Sequence, residues 1–130
     1  GTGHGVGYLL NVHEGPTRFR WKTAPGQSAC VLEEGMITSN EPGYYVENEF
    51  GIRHENLIVC KKAEKTAYGQ FMCFENLTMV PFDLDGIVPE LLSDHEKELL
   101  NQYHAEVYTK ISPYLNEEEK QWLKEATREI

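Results

Sequence analysis

Apolar positions change their spacing near residue 86, and that change divides the chain. Before it, short β-prone runs are separated by turns built from Gly, Pro, Asn and acidic residues, the pattern of an antiparallel β-rich body. Residues 8–12 (YLLNV) predict a short strand, and His13-Glu14-Gly15-Pro16 a turn. Residues 17–30 read as a loop whose aromatic-basic patch (Phe19, Arg20, Trp21, Lys22) covers the core. A turn at 32–35 leads into a strand over 36–40, and further strands are expected over 52–61, 68–74 and 77–80.

After Pro81-Phe82-Asp83-Leu84-Asp85-Gly86 the period becomes helical. Ser93 and Glu96 have capping-box spacing, and Leu99, Leu100, Tyr103, Val107 and Ile111 share one helical face, predicting a helix over 93–112. Ser112-Pro113 breaks it. Asn116 with Glu119 repeats the cap, with acidic residues in the first turn where the helix dipole favours them, predicting a second helix over 116–128. The two should pack through Leu99, Tyr103, Val107, Trp122 and Leu123. The fold class expected is therefore α+β, an antiparallel β-rich body over 1–82 followed by a helical extension over 83–130.

Within the β part, the stretch 39–57 (SNEPGYYVENEFGIRHENL) organises the chemistry. Folded as a hairpin about Asn48, facing residues have numbers summing to 96, which sets Glu41 opposite Glu55. Facing like charges destabilise a sheet unless compensated, and a bound cation is one form of compensation. The plain alternative is a pair on a solvated hairpin face, and Pro42-Gly43 invites a bulge or an edge position.

Composition narrows the partners. The chain has 130 residues, 40% of them hydrophobic, and a net charge of −9. That charge argues against a nucleic-acid backbone or an anionic membrane surface. No apolar run reaches a membrane span, and no signal peptide is expected. Cys30, Cys60 and Cys73 lack CxxC spacing, suit a reducing compartment, and read as small core residues. The start inside a glycine-rich motif, without an initiator Met, points to an excised fragment.

Candidate chemistry gathers around the glutamates. His4 lies in Gly1-Thr2-Gly3-His4-Gly5-Val6-Gly7, where little crowds an imidazole; as a phosphate loop the run is weak, because no Gly-Lys-Ser/Thr follows. His13 stands nine residues on, an odd separation that puts the two on opposite faces of an extended segment unless the glycines bend it. Arg53 precedes Glu55 by two, so it shares that strand face, as a salt bridge or as an anchor for a carboxylate or oxyanion. His54 points the other way and reads as structural. One imidazole and two carboxylates suit Mn²⁺, Co²⁺ or Zn²⁺, although three ligands are too few for two ions.

The order and spacing of four motifs then carry a resemblance: Gly1 to Gly7, Leu10-Asn11-Val12-His13-Glu14-Gly15-Pro16, Glu41-Pro42-Gly43-Tyr44-Tyr45, and Gly51-Ile52-Arg53-His54-Glu55-Asn56. Together they resemble the C-terminal half of the catalytic domain of aminopeptidase P, the Xaa-Pro aminopeptidase of the pita-bread (creatinase/aminopeptidase-like) fold. Residues 74–82, 99–104 and 119–123 are similar to the helical extension of the large cytosolic eukaryotic-type enzymes.

The resemblance implies a dinuclear-metal aminopeptidase that releases an N-terminal residue followed by proline. It implies His4, Glu41 and Glu55 as metal ligands, Glu55 bridging both ions and Glu41 also shuttling protons. His13 corresponds to a histidine contacting substrate and stabilising the transition state, and Arg53 to an arginine near the site. Two divalent ions are implied, Mn²⁺ first with Zn²⁺ or Co²⁺ as alternatives, together with Xaa-Pro peptide substrates, a homodimer and a cytoplasmic location. No nucleic acid or membrane partner is expected. His54 departs from the family's usual aliphatic residue. The family's two aspartate ligands and another active-site histidine precede Gly1, so the chain alone should be inactive, bind metal weakly or not at all, and self-associate. A prolidase-like dipeptidase, a non-catalytic pita-bread binding module and a β-rich scaffold are the competing readings; the helical tail argues against the first, and joint retention of His4, Glu41 and Glu55 against the second.

Overall fold

The computed structural model describes residues 1–9, 11–22, 25–26 and 29–130. The chain forms two compact units, Gly1–Thr78 and Met79–Ile130.

The first unit is antiparallel throughout. Its strands are β1 (Gly3–His4), β2 (Arg18–Phe19), β3 (Ile37–Asn40), β4 (Gly43–Val46), β5 (Phe50–Arg53), β6 (Asn56–Thr66) and β7 (Gly69–Asn76). They make a three-stranded sheet in the order β3-β6-β7 and two ribbons, β1-β2 and β4-β5. The hairpin turns at Asn48, whose φ of 60° places it in the left-handed region that Asn tolerates better than most residues. Facing pairs sum to 96 on both sides of the Pro42 region, from Tyr44 with Ile52 and Gly43 with Arg53 to Asn40 with Asn56 and Ser39 with Leu57. The register expected from sequence therefore holds across two ladders. Between them sit Glu41 and Glu55.

Several local expectations need correcting. Of residues 8–12, Tyr8, Leu9, Asn11 and Val12 form no strand and Leu10 lies outside the described residues; instead Gly7 N–H closes a tight turn onto the Asn11 carbonyl at 2.8 Å. The expected loop over 17–30 contains β2, although Thr23, Ala24, Gln27 and Ser28 lie outside the described residues. Trp21 is exposed and covers no core. The strand expected over 52–61 is interrupted at His54-Glu55, because Pro42 on the facing segment has no N–H to donate. Residues 77–80 are not a strand; the Leu77 and Thr78 N–H groups instead donate to the Leu57 carbonyl. Of the cysteines only Cys60 is a buried core residue, and Cys73 is exposed.

The core of this unit is thin. β6 alternates, burying Asn56, Ile58 and Cys60 on one face, with Thr38 and Ser39 of β3 fully buried beside them. Tyr44, Tyr45, Phe50 and Ile52 of the β4-β5 ribbon are all exposed.

The second unit holds α1 (Asp94–Ile111) and α2 (Glu117–Ala126). Both predicted capping boxes are present, Ser93 with Glu96 and Asn116 with Glu119. Tyr103 and Val107 of α1 bury against Leu123 of α2, with Met79, Phe82, Tyr108, Ile111 and Leu115 around them. Leu99 and Trp122 were expected in this contact and are exposed. Leu123 takes the interior seat, and Trp122, about 100° round the helix, is turned away. Asn101 is pinned by two hydrogen bonds to Ile130. Among the described residues no helix is long and apolar enough to cross a membrane.

Candidate metal and peptide site

Glycines without side chains bring His4 into the site. A Cβ on Gly3 would fall on the Ser39 carbonyl, and one on Gly5 on the Glu14 carbonyl. These close approaches let β1 run beside β3, with Gly5 bridged to Thr38. The Glu14 N–H donates to the Gly5 carbonyl and the Gly5 N–H to the Thr17 carbonyl, both at 2.9 Å, so the chain doubles back. That bend carries His13 to His4: their ring centroids are 4.4 Å apart, tilted by 57°. The odd spacing along the chain is overridden by the loop.

His4 and Glu41 form the closest polar contact. Nε2 stands 2.8 Å from Glu41 Oε1, with both side chains about four-fifths buried. On the other side of the ring, Nδ1 lies 3.0 Å from the Gly5 carbonyl. A carbonyl only accepts, so Nδ1 carries a proton there and Nε2 directs its remaining site at the carboxylate. In that tautomer of the neutral imidazole two lone pairs face each other, an arrangement that a cation between them relieves. A proton does this by making imidazolium. A divalent ion does it with the tautomer already fixed by a backbone carbonyl, the usual arrangement behind a metal-binding histidine.

Ser39, fully buried, was given no role from sequence. Its hydroxyl accepts from the His4 N–H at 3.0 Å and donates to Glu41 Oε1 at 2.8 Å. The available signal was its spacing, two residues before Glu41 on the same strand face.

Arg53 supplies the compensation that facing glutamates require. Its Nε lies 3.2 Å from Glu55 Oε2 and 3.8 Å from Glu41 Oε2, so both carboxylates reach one guanidinium from the same side. Arg53 also donates to the Tyr45 hydroxyl at 3.4 Å, and Tyr45 first, then Glu55 and Glu41, hold its pKa above its already high value. The Tyr45 ring lies against Gly43 and Gly51, where a Cβ on either glycine would meet it within 3 Å. Half-exposed, the Arg53 pairs orient more than they stabilise. Among the described residues no three metal-ligating side chains converge on one point. The structure brings His4 to Glu41, His13 to His4, and Arg53 to both glutamates.

Antiparallel strands followed by two helices are the architecture of a C-terminal part of the pita-bread class, and comparison with known proteins assigns the family. Residues 1–62 match metallopeptidase family M24, and residues 70–130 match the C-terminal region of peptidase M24. The chain belongs to metallopeptidase family M24, and its β unit followed by two helices is a C-terminal part of the pita-bread domain. Its sequence is 44% identical over 139 residues to a probable Xaa-Pro aminopeptidase P of Paracoccidioides brasiliensis, covering all of this chain and 22% of that protein. It is 45% identical over 134 residues to aminopeptidase P2 of Arabidopsis thaliana, covering all of this chain and 18% of that protein. It superimposes on an X-prolyl aminopeptidase from Caenorhabditis elegans, described as a cytosolic enzyme with a di-nuclear active site, with a TM-score of 0.80 and 36% identity, covering all of this chain and 21% of that one. The chain thus spans about a fifth of the length of the relatives it matches.

Proposed function

We propose that this chain contributes to the active site of an Xaa-Pro aminopeptidase, a cytoplasmic enzyme releasing the first residue of peptides with proline second. The observation that carries the reading is the His4–Glu41 contact at 2.8 Å with the His4 tautomer fixed by Gly5, on a chain whose relatives bear that name. His4, Glu41 and Glu55 would hold divalent ions, Mn²⁺ first among the candidates; when bound, such ions lower the pKa of water and polarise the scissile carbonyl.

The chain's own residues do the rest. Glu41, held by Ser39, passes a proton between the attacking water and the leaving proline nitrogen. His13, its ring tilted against that of His4, donates to the carbonyl oxygen as negative charge develops on it. Arg53 keeps Glu41 and Glu55 on one side of the hairpin, limiting the reorganisation needed on binding. Three ligand side chains are too few for two ions, so the 130-residue chain by itself turns over nothing.

The test uses the intact protein that carries this chain, stripped by chelator and reloaded with Mn²⁺. An Xaa-Pro peptide should lose its first residue in the reloaded enzyme only, while its Xaa-Ala counterpart stays whole. Indifference to metal, or equal cleavage of both peptides, would refute the assignment.

A further inference from the structure

Arg18, Arg20 and Lys22 line the same cleft as His4, His13 and Glu41, a hollow of about 700 Å³. The strand register explains why. His4 faces Arg18 directly across the β1-β2 ladder, so the two side chains leave the same face with Cβ atoms roughly 4.5–5.5 Å apart. Phe19 leaves the other face, half-buried, and meets Phe74 edge-on at 5.8 Å and 85°. Backbone hydrogen bonds fix the segment on both sides of it, from Thr2 to the Phe19 carbonyl and from Gly5 to the Thr17 carbonyl, both at 2.9 Å. Arg18 therefore sits on an anchored strand at the rim of the site, with Arg20 and Lys22 just beyond the strand's end.

The charges of Arg18 and Lys22 are not spent internally among the described residues. Arg18 and Lys22 make no ion pair among the described residues. The two carboxylates that share the cleft are engaged elsewhere, Glu41 by His4 and Ser39, and Glu14 by the Asn11 amide at 3.1 Å. In a chain of net charge −9, three cations at one lip make a local positive field that opposes the overall one.

We propose that Arg18, Arg20 and Lys22 form a basic lip that selects substrates with a carboxylate downstream of the scissile bond, either an acidic side chain or the α-carboxylate of a short peptide. The inference rests on the Xaa-Pro aminopeptidase reading and deepens it. A peptide's N-terminal ammonium is repelled by the lip and drawn to the glutamates, so the chain beyond proline leaves over Arg18 and Arg20. Exposed ion pairs are individually weak, so two or three together make an acidic peptide roughly three- to tenfold better in kcat/KM.

The test takes the intact metal-loaded protein and four peptides: Xaa-Pro-Ala-amide, Xaa-Pro-Glu-amide, Xaa-Pro-Lys-amide and Xaa-Pro-Ala with a free carboxylate. The Glu-amide or the free-acid peptide should exceed the Ala-amide by that ratio, and the Lys-amide should be the poorest. A gain in the Glu arm alone assigns the lip to side chains, and in the free-acid arm alone to the C-terminus. The ratio should fall towards one in Arg18→Gln/Arg20→Gln and in ~0.5 M salt, and survive in Arg18→Lys/Arg20→Lys. Equal rates for all four peptides, or a ratio unchanged in the Gln variant, would overturn the lip. Should the wild type cleave none of the four, the aminopeptidase reading fails, and anisotropy of a labelled acidic peptide still decides the lip: binding must weaken by the same three- to tenfold in the Gln variant, and equal binding overturns it.

Discussion

The two units of this chain are built on opposite terms. Met79–Ile130 is held by a compact apolar contact, Val107 and Leu123 almost wholly inaccessible, with both helix starts closed by side-chain caps. Gly1–Thr78 buries mostly small or polar groups (Thr17, Thr38, Ser39, Asn56) and leaves the aromatic ribbon of Tyr44, Tyr45 and Phe50 in solvent. The candidate chemistry lies in this thinner β unit. Polar groups brought within 3 Å of one another there take the place of core, and glycines rather than large side chains set the spacing. The lesson is that one unit is specified by what fills it, the other by what its glycines leave room for.

That contrast can be broken from either end. Leu123→Ala should be the most damaging change in the helical unit, costing about 2–5 kcal/mol, whereas the neighbouring exposed Trp122→Ala should cost little; urea denaturation of both variants checks the difference. In the β unit the corresponding lesion is an added methyl. Gly3→Ala forces a Cβ onto the Ser39 carbonyl and should cost about 1–3 kcal/mol while displacing His4 from Glu41. Equal midpoints for Gly3→Ala and wild type would show that the close approach does not matter.

Smaller effects sharpen the account of the helical unit. Asn116→Ala removes the α2 cap and should cost about 1 kcal/mol, seen as a lower thermal midpoint. His104, 1% exposed, accepts from the Phe82 N–H through Nε2 at 3.1 Å, while its Nδ1 has no hydrogen-bond partner among the described residues. Burial pushes its pKa below the ordinary histidine value. The unfolded chain therefore binds the proton more readily, so stability is full above the ordinary histidine pKa and declines as pH falls through the lower, folded value. A His104→Gln variant should lack that part of the acid slope in pH-dependent unfolding.

Legibility from sequence followed the same divide. Caps, helix limits and the Tyr103–Val107–Leu123 contact are local signals, and they were readable as such. So was the hairpin register, because Asn48 sits in a turn-forming triplet and every pairing follows from its position. The break at His54-Glu55 was hidden, since the β-prone run from Ile52 to Lys61 shows no interruption of its own and the cause, Pro42, lies on the facing segment. The meeting of His4 and His13 was hidden for a similar reason: it depends on Gly5 and Gly7 folding the chain back, which spacing along an extended segment argues against. Ser39 was passed over because a buried serine carries no charge to draw attention. Arg20 and Lys22 were read as cover for the core and Arg18 was given no role, whereas the ladder to β1 turns Arg18 to the His4 face.

The central claim is that His4, Glu41 and Glu55 are metal ligands in the intact enzyme, and Glu55→Gln tests it most directly. Removing one carboxylate ligand should forfeit several kcal/mol of transition-state stabilisation, a loss on the order of 100-fold or more in kcat/KM. Elemental analysis of the purified protein should find two ions per chain in the wild type and in His54→Ile, and fewer in Glu55→Gln, with activity on an Xaa-Pro peptide lost in step. Two ions retained in Glu55→Gln, with activity close to that of His54→Ile, would contradict the account.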